Sequence, residues 1–562
     1  MGEPVRILIV GGYGTFGGRL VELLENEPRL ALLVAGRSLE KAQAYCLSRK
    51  AAKAQLVAMK FDRAAGLSGQ MSSIKPDVVV DASGPFQDYG EDRYGLIEAC
   101  IAQGVNYLDL ADGSDFVAGI SQFDTAARKA GVFILSGVSS FPVLTAAVVR
   151  HLSADMAKVR SIRGGIAPSP YAGVGSNVIR AIASYSGQEI SLKQAGKTKK
   201  VYPLTDSMRY TIAPPGRLPL RNTLFSLVDV PDLRVLADIW PEAESIWMGA
   251  GPVPEILHRA LNAFAWLVRL GLVRSLLPLA GLMEFVMNHV RWGEHRGGMF
   301  VEVAGENKAG VAVKRSWHLL AEGRDGPLIP SMAIEAVVRK MLGGASIPPG
   351  ARAAAGDVTL DDYYALFKPR RIHTGVREDE PRLSVPLYRS VLGTAWEDLP
   401  PEIRSMHDVE TVTVAEGVAA TRPGKNPLGN IARLMLGMPG SGEDVPVTVR
   451  FTVKDGVETW TRNFGGKSFS SRQYAGRGRS EHLLAERFGI LTFYMALVPE
   501  DNMLRLVLRR WSVLGIPMPM FLCARSDSYE AVEDGKFVFN VKISHPLAGF
   551  IVHYRGWLLR KS

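Results

Sequence analysis

Gly12, Gly14 and Gly17 of GYGTFG stand at the spacing G-x-G-x-x-G, directly after the apolar run VRILIV and at the head of a helix-like segment from about Thr15 to Glu25. The chemistry this pattern serves is anion binding by main-chain amides. Gly12 permits a tight turn, the bare Cα of Gly14 lets a diphosphate approach the backbone, and Gly17 lets the helix pack close to the strand. Tyr13, Thr15 and Phe16 complete the turn, and the helix aims its N–H groups and positive dipole end at the phosphate. About twenty residues further on, an NAD site places Asp or Glu at the tip of the second strand to bind the ribose hydroxyls. Gly36-Arg37-Ser38 stands there instead, after LALLVA. Arg37 can clamp a 2′-phosphate with its guanidinium fork and Ser38 can donate to it, so the expected cofactor is NADP(H).

The elements that must position these residues alternate. Strands are expected at Val5–Val10, Leu30–Ala35, Gln55–Phe61, Asp77–Ala82, Tyr107–Leu110 and Val132–Ser136, with helices between them. Strand and helix in turn make a Rossmann-type, doubly wound parallel sheet. Ligands bind beyond the carboxyl ends of its strands, which places Asp62, Ser83-Gly84-Pro85-Phe86 and Ser136–Ser140 around the cofactor. Hydride transfer needs chiefly a nicotinamide held against an electrophilic carbon. A proton can come from Tyr89, Tyr107, Asp112, His318 or water, while Tyr107, Asp109 and Asp112 can equally brace their loop. No Tyr-x-x-x-Lys helix occurs at the corresponding place, and no general acid is assigned from sequence.

The chain has 562 residues, enough for three or four domain-sized units, and its 47% hydrophobic and 22% charged composition is that of a globular protein. Cys46, Cys100 and Cys523 are scattered, with no CxxC pair. That argues against a disulfide framework or a zinc site and fits a reducing, cytoplasmic setting. No basic segment precedes an apolar run at the N-terminus, so no signal core is expected. The net charge of +10 suits an anionic partner. No nucleic-acid motif accompanies it, which leaves a cofactor phosphate or anionic lipid.

Four segments are expected: an NADP-binding domain over 1–150, an α+β substrate and dimerisation domain over 151–342, a linker over 343–384 rich in Gly, Ala, Pro and Arg, and an antiparallel β-rich domain over 385–562. Within the second, Ile256–Val290 is strongly apolar but interrupted by Arg259, Arg269, Arg274, Pro278 and Glu284. The interruptions speak against a membrane span. Helices lining a greasy pocket, a peripheral membrane surface, ordinary core and a homodimer interface all fit it. Gly298–Gly323 reads as a hairpin with period-two patterning. In the last segment, alternating strands with Asp-Gly turns suggest a curved sheet around a cavity. Helices are expected near Leu387–Gly393, Pro401–Ser405 and His482–Phe488. Arg479, Arg487, Arg510, Trp511, His545 and Tyr554 are its candidates for gripping an anionic head group.

The motifs GGYGTFGGRL, AGRS, DVVVDASGPFQDYG, NYLDLADGSDF and LSGVSSFPVL together resemble the saccharopine dehydrogenase-like oxidoreductases. The resemblance implies a diphosphate held by Gly12, Gly14, Thr15, Phe16 and Gly17, an adenosine phosphate at Arg37 and Ser38, and a nicotinamide ribose against Ser83, Gly84, Pro85 and Phe86. Residues 387–559, with GRGRSEHLLAERFG and ISHPLAGFIVHYRGWL, resemble a bacterial domain of unknown function found fused to such domains. The leading expectation is an NADPH-dependent reductase for a hydrophobic, lipid- or isoprenoid-like molecule. The alternatives are an oxidoreductase for an amino-acid or polyamine conjugate and a non-catalytic NADP-sensing or lipid-transfer protein. Pocket lining separates the two enzymes: paired arginines and acids suit the conjugate, apolar walls the lipid.

Overall fold

The computed structural model describes residues 3–379, 385–435 and 437–561. They form two compact units, one of residues 1–208 with 224–373 and one of residues 209–223 with 374–562.

The first unit opens with the parallel sheet. Its strands are β1 (Val5–Val10), β2 (Leu30–Gly36), β3 (Gln55–Lys60), β4 (Val78–Asp81), β5 (Asn106–Asp109) and β6 (Phe133–Ser136), in the order β6-β5-β4-β1-β2-β3. Every neighbouring pair is parallel. β2 is buried along its whole length and β4 likewise, which is why both read as unbroken apolar runs. Strand order reverses between β1 and β4, and the crevice at that switch point is where such sheets take ligands. Helices α1 (Thr15–Leu24) and α2 (Leu39–Ser48) follow β1 and β2.

Residues 343–379 are not a linker. Gly350–Ala353 adds a seventh parallel strand beyond β6, Leu360–Phe367 is a helix and Ile372–Glu378 a strand. Residues 380–384 lie outside the described residues. Composition misleads here because a strand of small residues is stabilised by pairing with β6, whose edge would otherwise leave main-chain groups unbonded.

A second sheet contains β7 (Met156–Ala167), β8 (Thr223–Leu227), β9 (Ser245–Ala250), β10 (Arg296–Asn307) and β11 (Ala312–Glu322), in the order β8-β9-β7-β10-β11. β7 and β9 are parallel, and the expected hairpin is the antiparallel pair β10–β11. The helices of this unit include α3 (Ser176–Tyr185), α4 (Glu255–Arg269), α5 (Ala280–His289) and α6 (Ile329–Leu342). α6 returns to the first sheet, where the Ser331 hydroxyl donates to the Phe16 carbonyl at 3.2 Å. The apolar stretch 256–290 is α4, a short turn and α5. Phe264, Trp266, Leu282 and Phe285 on it are exposed. No helix among the described residues is long and apolar enough to cross a membrane.

The second unit is a closed antiparallel barrel. α7 (Leu387–Leu392) and α8 (Pro401–His407) lead into ten strands: β12 (Val412–Pro423), β13 (Gly442–Lys454), β14 (Val457–Phe464), β15 (Lys467–Ala475), β16 (Leu484–Phe488), β17 (Leu491–Glu500), β18 (Met503–Val513), β19 (Arg525–Glu533), β20 (Lys536–His545) and β21 (Gly549–Arg560). Helix α9 (Pro427–Met435) joins β12 to β13. The strands run β17-β16-β15-β14-β13-β12-β21-β20-β19-β18, and β18 pairs back onto β17 to close the ring. On β13, Val447, Val449 and Phe451 are buried inside while Arg450 is exposed. An apolar interior with a polar exterior is the inverse of a membrane-spanning barrel. Tyr388, Trp396, Ile403 and Met406 share one buried core with the strands, so the segment carrying α7 and α8 plugs the end from which β12 departs.

Residues 482–488 form no helix. LLAERF is rich in helix formers, but β16 bonds on both sides, to β15 and β17, and closure of the ring outweighs local propensity.

Candidate functional site

The glycine turn is tight for reasons that differ residue by residue. Gly11 has φ +81°, and a Cβ there would come within 2.8 Å of the Ala82 carbonyl oxygen. The left-handed position is therefore Gly11, which the sequence reading passed over in favour of Gly12. Gly12 instead lies close to β2, with 3.1 Å between an added Cβ and Val34. A Cβ on Gly17 would sit 2.2 Å from the Gly11 oxygen, so helix and turn touch through bare backbone. Gly14, at the N-cap of α1, is exposed; no side chain caps the helix and no acid lies in its first turn. A turn of bare backbone ending in an uncapped helix N-terminus fits a diphosphate.

Tyr13 ties this turn to the tip of β2. Its hydroxyl accepts the Ser38 amide at 3.1 Å, and its ring lies over Gly36, 2.6 Å from where a Cβ would stand. Arg37 is exposed beside it. Ser38 caps α2, its hydroxyl oxygen accepting the Lys41 amide at 3.3 Å, which leaves the O–H free to donate to an anion. The residues at this tip fit an adenosine 2′-phosphate. Asp62 follows β3, and its carboxylate accepts the Ala64 amide at 3.0 Å. It braces its own loop.

Ser83–Phe86 follow β4 and rest on a buried ionic cluster. Asp81, wholly buried, accepts the Ser83 amide (3.0 Å), the Ser83 hydroxyl (2.5 Å) and Arg63 Nε (2.9 Å). The Arg63 guanidinium lies 3.5 Å from the Tyr89 ring, and the Tyr89 hydroxyl meets Ser83 Oγ at 2.8 Å. Tyr89 is thereby committed to the loop rather than free as a proton donor. Asn177, on α3, donates to the carbonyls of Ser83 (2.9 Å) and Gly84 (3.0 Å), and Phe86 is buried. Asp109, at the end of β5, accepts Gly137 N, Ala111 N and Ser136 Oγ on one oxygen, and burial pushes its carboxyl up to about 7. His318 is buried on β11 against Ser316 Oγ at 2.9 Å.

Residues 7–135 match the family described as the saccharopine dehydrogenase NADP binding domain, and residues 399–558 match DUF4166, a domain of unknown function. Residues 7–135 therefore carry a saccharopine dehydrogenase-type NADP-binding domain. No curated protein matches the chain. Among solved structures, a saccharopine dehydrogenase (L-Glu forming) from Saccharomyces cerevisiae is 15% identical and covers 67% of this chain and 100% of its own, with a TM-score of 0.48. GenD2 from gentamicin A biosynthesis, in complex with NAD, is 12% identical over 68% of this chain and 98% of its own, with a TM-score of 0.32. A Synechocystis biliverdin reductase with biliverdin and NADP+ is 14% identical over 61% and 92%, with a TM-score of 0.28.

Beside the glycine turn of the NADP-binding domain lies a cavity of about 340 Å³. Phe16 and Arg19 of α1 form part of its wall, and Phe141, Ile166, Val178, Leu261, Met299 and Leu319 line much of the rest. Three ionisable groups enter it together: Asp112, Tyr185 and Asp229. Burial pushes both carboxyls up, against a hydrogen bond from Gln87 to Asp112 (3.2 Å) and one from the Ser114 hydroxyl to Asp229 (2.6 Å). Burial raises the Tyr185 phenol far more, and the charges of Asp112 and Asp229 add to it. Burial lowers Arg19, whose Nη2 donates to the Ala172 carbonyl at 3.0 Å. Of these four, the sequence pointed only to Asp112. Tyr185 closes the same helix whose Asn177 holds Ser83 and Gly84, and Asp229 follows β8; only the fold brings them together.

The DUF4166 barrel encloses its own cavity, also about 340 Å³. Of the six candidates read from sequence, Trp511, His545 and Tyr554 line it. Arg479, Arg487 and Arg510 do not; Arg487 donates to the Gly489 carbonyl and Arg510 to Ser480 Oγ. The arginine inside is Arg462, paired with Glu486 at 3.0 Å and donating to Ser471 Oγ at 2.8 Å.

Proposed function

We propose that the chain is an NADPH-dependent reductase whose substrate is an apolar small molecule carrying one polar, reducible group. Gly12, Tyr13, Gly14, Thr15, Phe16 and Gly17 cradle the diphosphate, Arg37 and Ser38 take the 2′-phosphate, and Ser83, Gly84, Pro85 and Phe86 border the nicotinamide ribose. Asp62 supports the adenosine end through its loop. The observation that carries the reading is the largely apolar cavity against the glycine turn into which Asp112, Tyr185 and Asp229 enter beside Arg19. NADPH supplies a hydride when bound.

What the chain must add is a proton and an oriented substrate. A carboxyl raised by burial keeps its proton closer to neutral pH, which suits Asp112 to donate to the oxygen or carbon left anionic by hydride addition. Tyr185 stays neutral and can hold the same oxygen by donating its phenolic hydrogen. The apolar walls exclude water and hold the rest of the molecule by contact area alone, at roughly 25 cal/mol per Å² buried. The apolar walls favour the lipid-like molecule over an amino-acid conjugate, while the two acids Asp112 and Asp229 are the feature that favours the second reading, a polyamine conjugate.

The test is steady-state kinetics with a panel of long-chain aldehydes and enones. Asp112→Asn is expected to lower kcat by about 10²-fold or more, with KM for NADPH unchanged, and to abolish the fall of kcat at high pH. An unchanged kcat and pH profile for Asp112→Asn, on a substrate that the wild type reduces, would remove the assignment.

A further inference from the structure

The DUF4166 barrel is asymmetric end to end in a way its fold does not require. One end is plugged by the segment carrying α7 and α8. At the other, the connections 424–441, 465–466, 489–490, 514–524 and 546–548 meet. Of the large apolar side chains that the barrel unit leaves exposed among the described residues, all but Val412 and Leu559 sit at this second end. They include Leu428, Ile431 and Leu434 on α9, Leu514, and the two most exposed, Phe521 (75%) and Leu547 (74%). Three-residue spacing puts the α9 trio on one face of the helix. Gly429, on another side, packs against the main chain of β21, 3.3 Å between an added Cβ and the Phe550 oxygen.

Charge follows the same division. The five connections at the apolar end carry Lys425 and Arg433 and no Asp or Glu. The nearest acids are Glu443 and Asp444 at the start of β13 and Asp527 at the start of β19, against Arg422, Lys467, Arg487 and Arg525 at neighbouring strand ends. Every connection at the plugged end carries an acid, Asp455, Glu481, Asp501 and Asp534, although Arg477 and Arg479 share the one that holds Glu481. Exposed bulky apolar groups with an excess of basic neighbours, on connections that carry no acid, describe a surface that inserts shallowly into an anionic bilayer interface.

The cavity reaches that surface. Its lining runs from Tyr388 and Met406 at the plug to Leu522 and His545 at the apolar end. Most of it is hydrocarbon and aromatic, with Arg462, Glu486 and Gln473 on one stretch of wall and Ser526, Ser528, Glu530 and Asn540 on another. The Gln473 carboxamide oxygen is buried with no hydrogen-bond partner among the described residues, although the side chain is only 1% exposed. A buried acceptor left without a donor costs about 1–3 kcal/mol.

We propose that the apolar end of the barrel docks on an anionic lipid surface and that the barrel takes up from it one molecule with a long apolar body and a hydrogen-bond-donating head, the head meeting Gln473. This is a second binding site, separate in the chain from the NADP-binding domain and independent of whether the reductase reading holds.

Flotation of the full-length chain with vesicles of equal parts phosphatidylcholine and phosphatidylglycerol tests the docking. Wild type is expected to float and to do so less on phosphatidylcholine alone. Phe521→Asp combined with Leu547→Asp, both on the surface, is expected to cut the bound fraction at least about tenfold. A wild type that stays at the bottom of the gradient overturns the proposal. So does a rim variant that floats like wild type, in particular if Leu282→Asp with Phe285→Asp on α5 abolishes flotation instead. Uptake is read by the fluorescence of cis-parinaryl alcohol, whose hydroxyl can donate a hydrogen bond and which should be bound by wild type and excluded by Leu508→Trp, which fills the cavity. Gln473→Leu, which removes the acceptor with little change in volume, should weaken it. Absence of probe binding, or equal binding by wild type and both cavity variants, overturns the uptake. The far-UV circular dichroism and the barrel's own calorimetric transition show each variant folded, and NADPH titration of the same samples scores the cofactor site separately.

Discussion

Asp109 accepts three hydrogen bonds on one carboxylate oxygen, while the other oxygen is buried with no partner among the described residues. Burial wins over the three bonds and holds the carboxyl at about 7, against 3.8 for an unperturbed aspartate. The sign for stability follows. Between about pH 4 and 7 the native state keeps a proton that the unfolded chain has released. Native stability therefore falls as pH rises through that window, by at most about 1.4 kcal/mol per pH unit from this group. Asp109→Asn, neutral throughout, should flatten the dependence of urea midpoint on pH between 4 and 7; an unchanged slope would show that another group sets it. The residue scale is also where sequence reading was least complete. G-x-G-x-x-G announces three glycines by spacing, but the left-handed φ belongs to Gly11 just before them. Tyr185 and Asp229 lie in unremarkable segments, and nothing in their neighbours signals that they share a cavity with Asp112.

At the scale of elements, the first strand, turn and helix were legible because each position obeys a local rule: a buried parallel strand is apolar throughout, and a close helix needs glycine where backbones meet. The rule can be tested by contrast. Gly17→Ala places a methyl 2.2 Å from the Gly11 oxygen, which backbone cannot yield cheaply. It is expected to cost about 1–3 kcal/mol and to weaken NADPH binding measured by calorimetry. Gly69→Ala, in the exposed helix Leu67–Ile74 with open space around it, is expected to be neutral or to stabilise by about 0.5–1 kcal/mol, with NADPH affinity unchanged. Equal effects would mean that the close packing at Gly17 is not what matters. The elements that sequence misjudged are those whose partners are distant. Gly350–Ala353 is a strand because β6 offers an edge, and Leu484–Phe488 is a strand because the barrel needs it to close.

Over the whole molecule, two units with separate hydrophobic cores predict two unfolding transitions. A ligand that binds one unit raises only that unit's transition, by RT ln(1 + [L]/Kd), or about 2.7 kcal/mol at a hundredfold excess over Kd. NADPH should move one transition in differential scanning calorimetry and leave the other in place; a joint shift would mean that the units unfold as one. The sequence by itself determined the cofactor class and the α/β then β-rich division. Those depend on periodicity and on short contiguous motifs, where each residue's role follows from its immediate neighbours. Only the tertiary structure decided the contents of both cavities, the closing of ten strands into a ring, and the gathering of exposed apolar side chains at one end of it. Those are juxtapositions of residues hundreds of positions apart, and no local rule of spacing or composition encodes which of them meet.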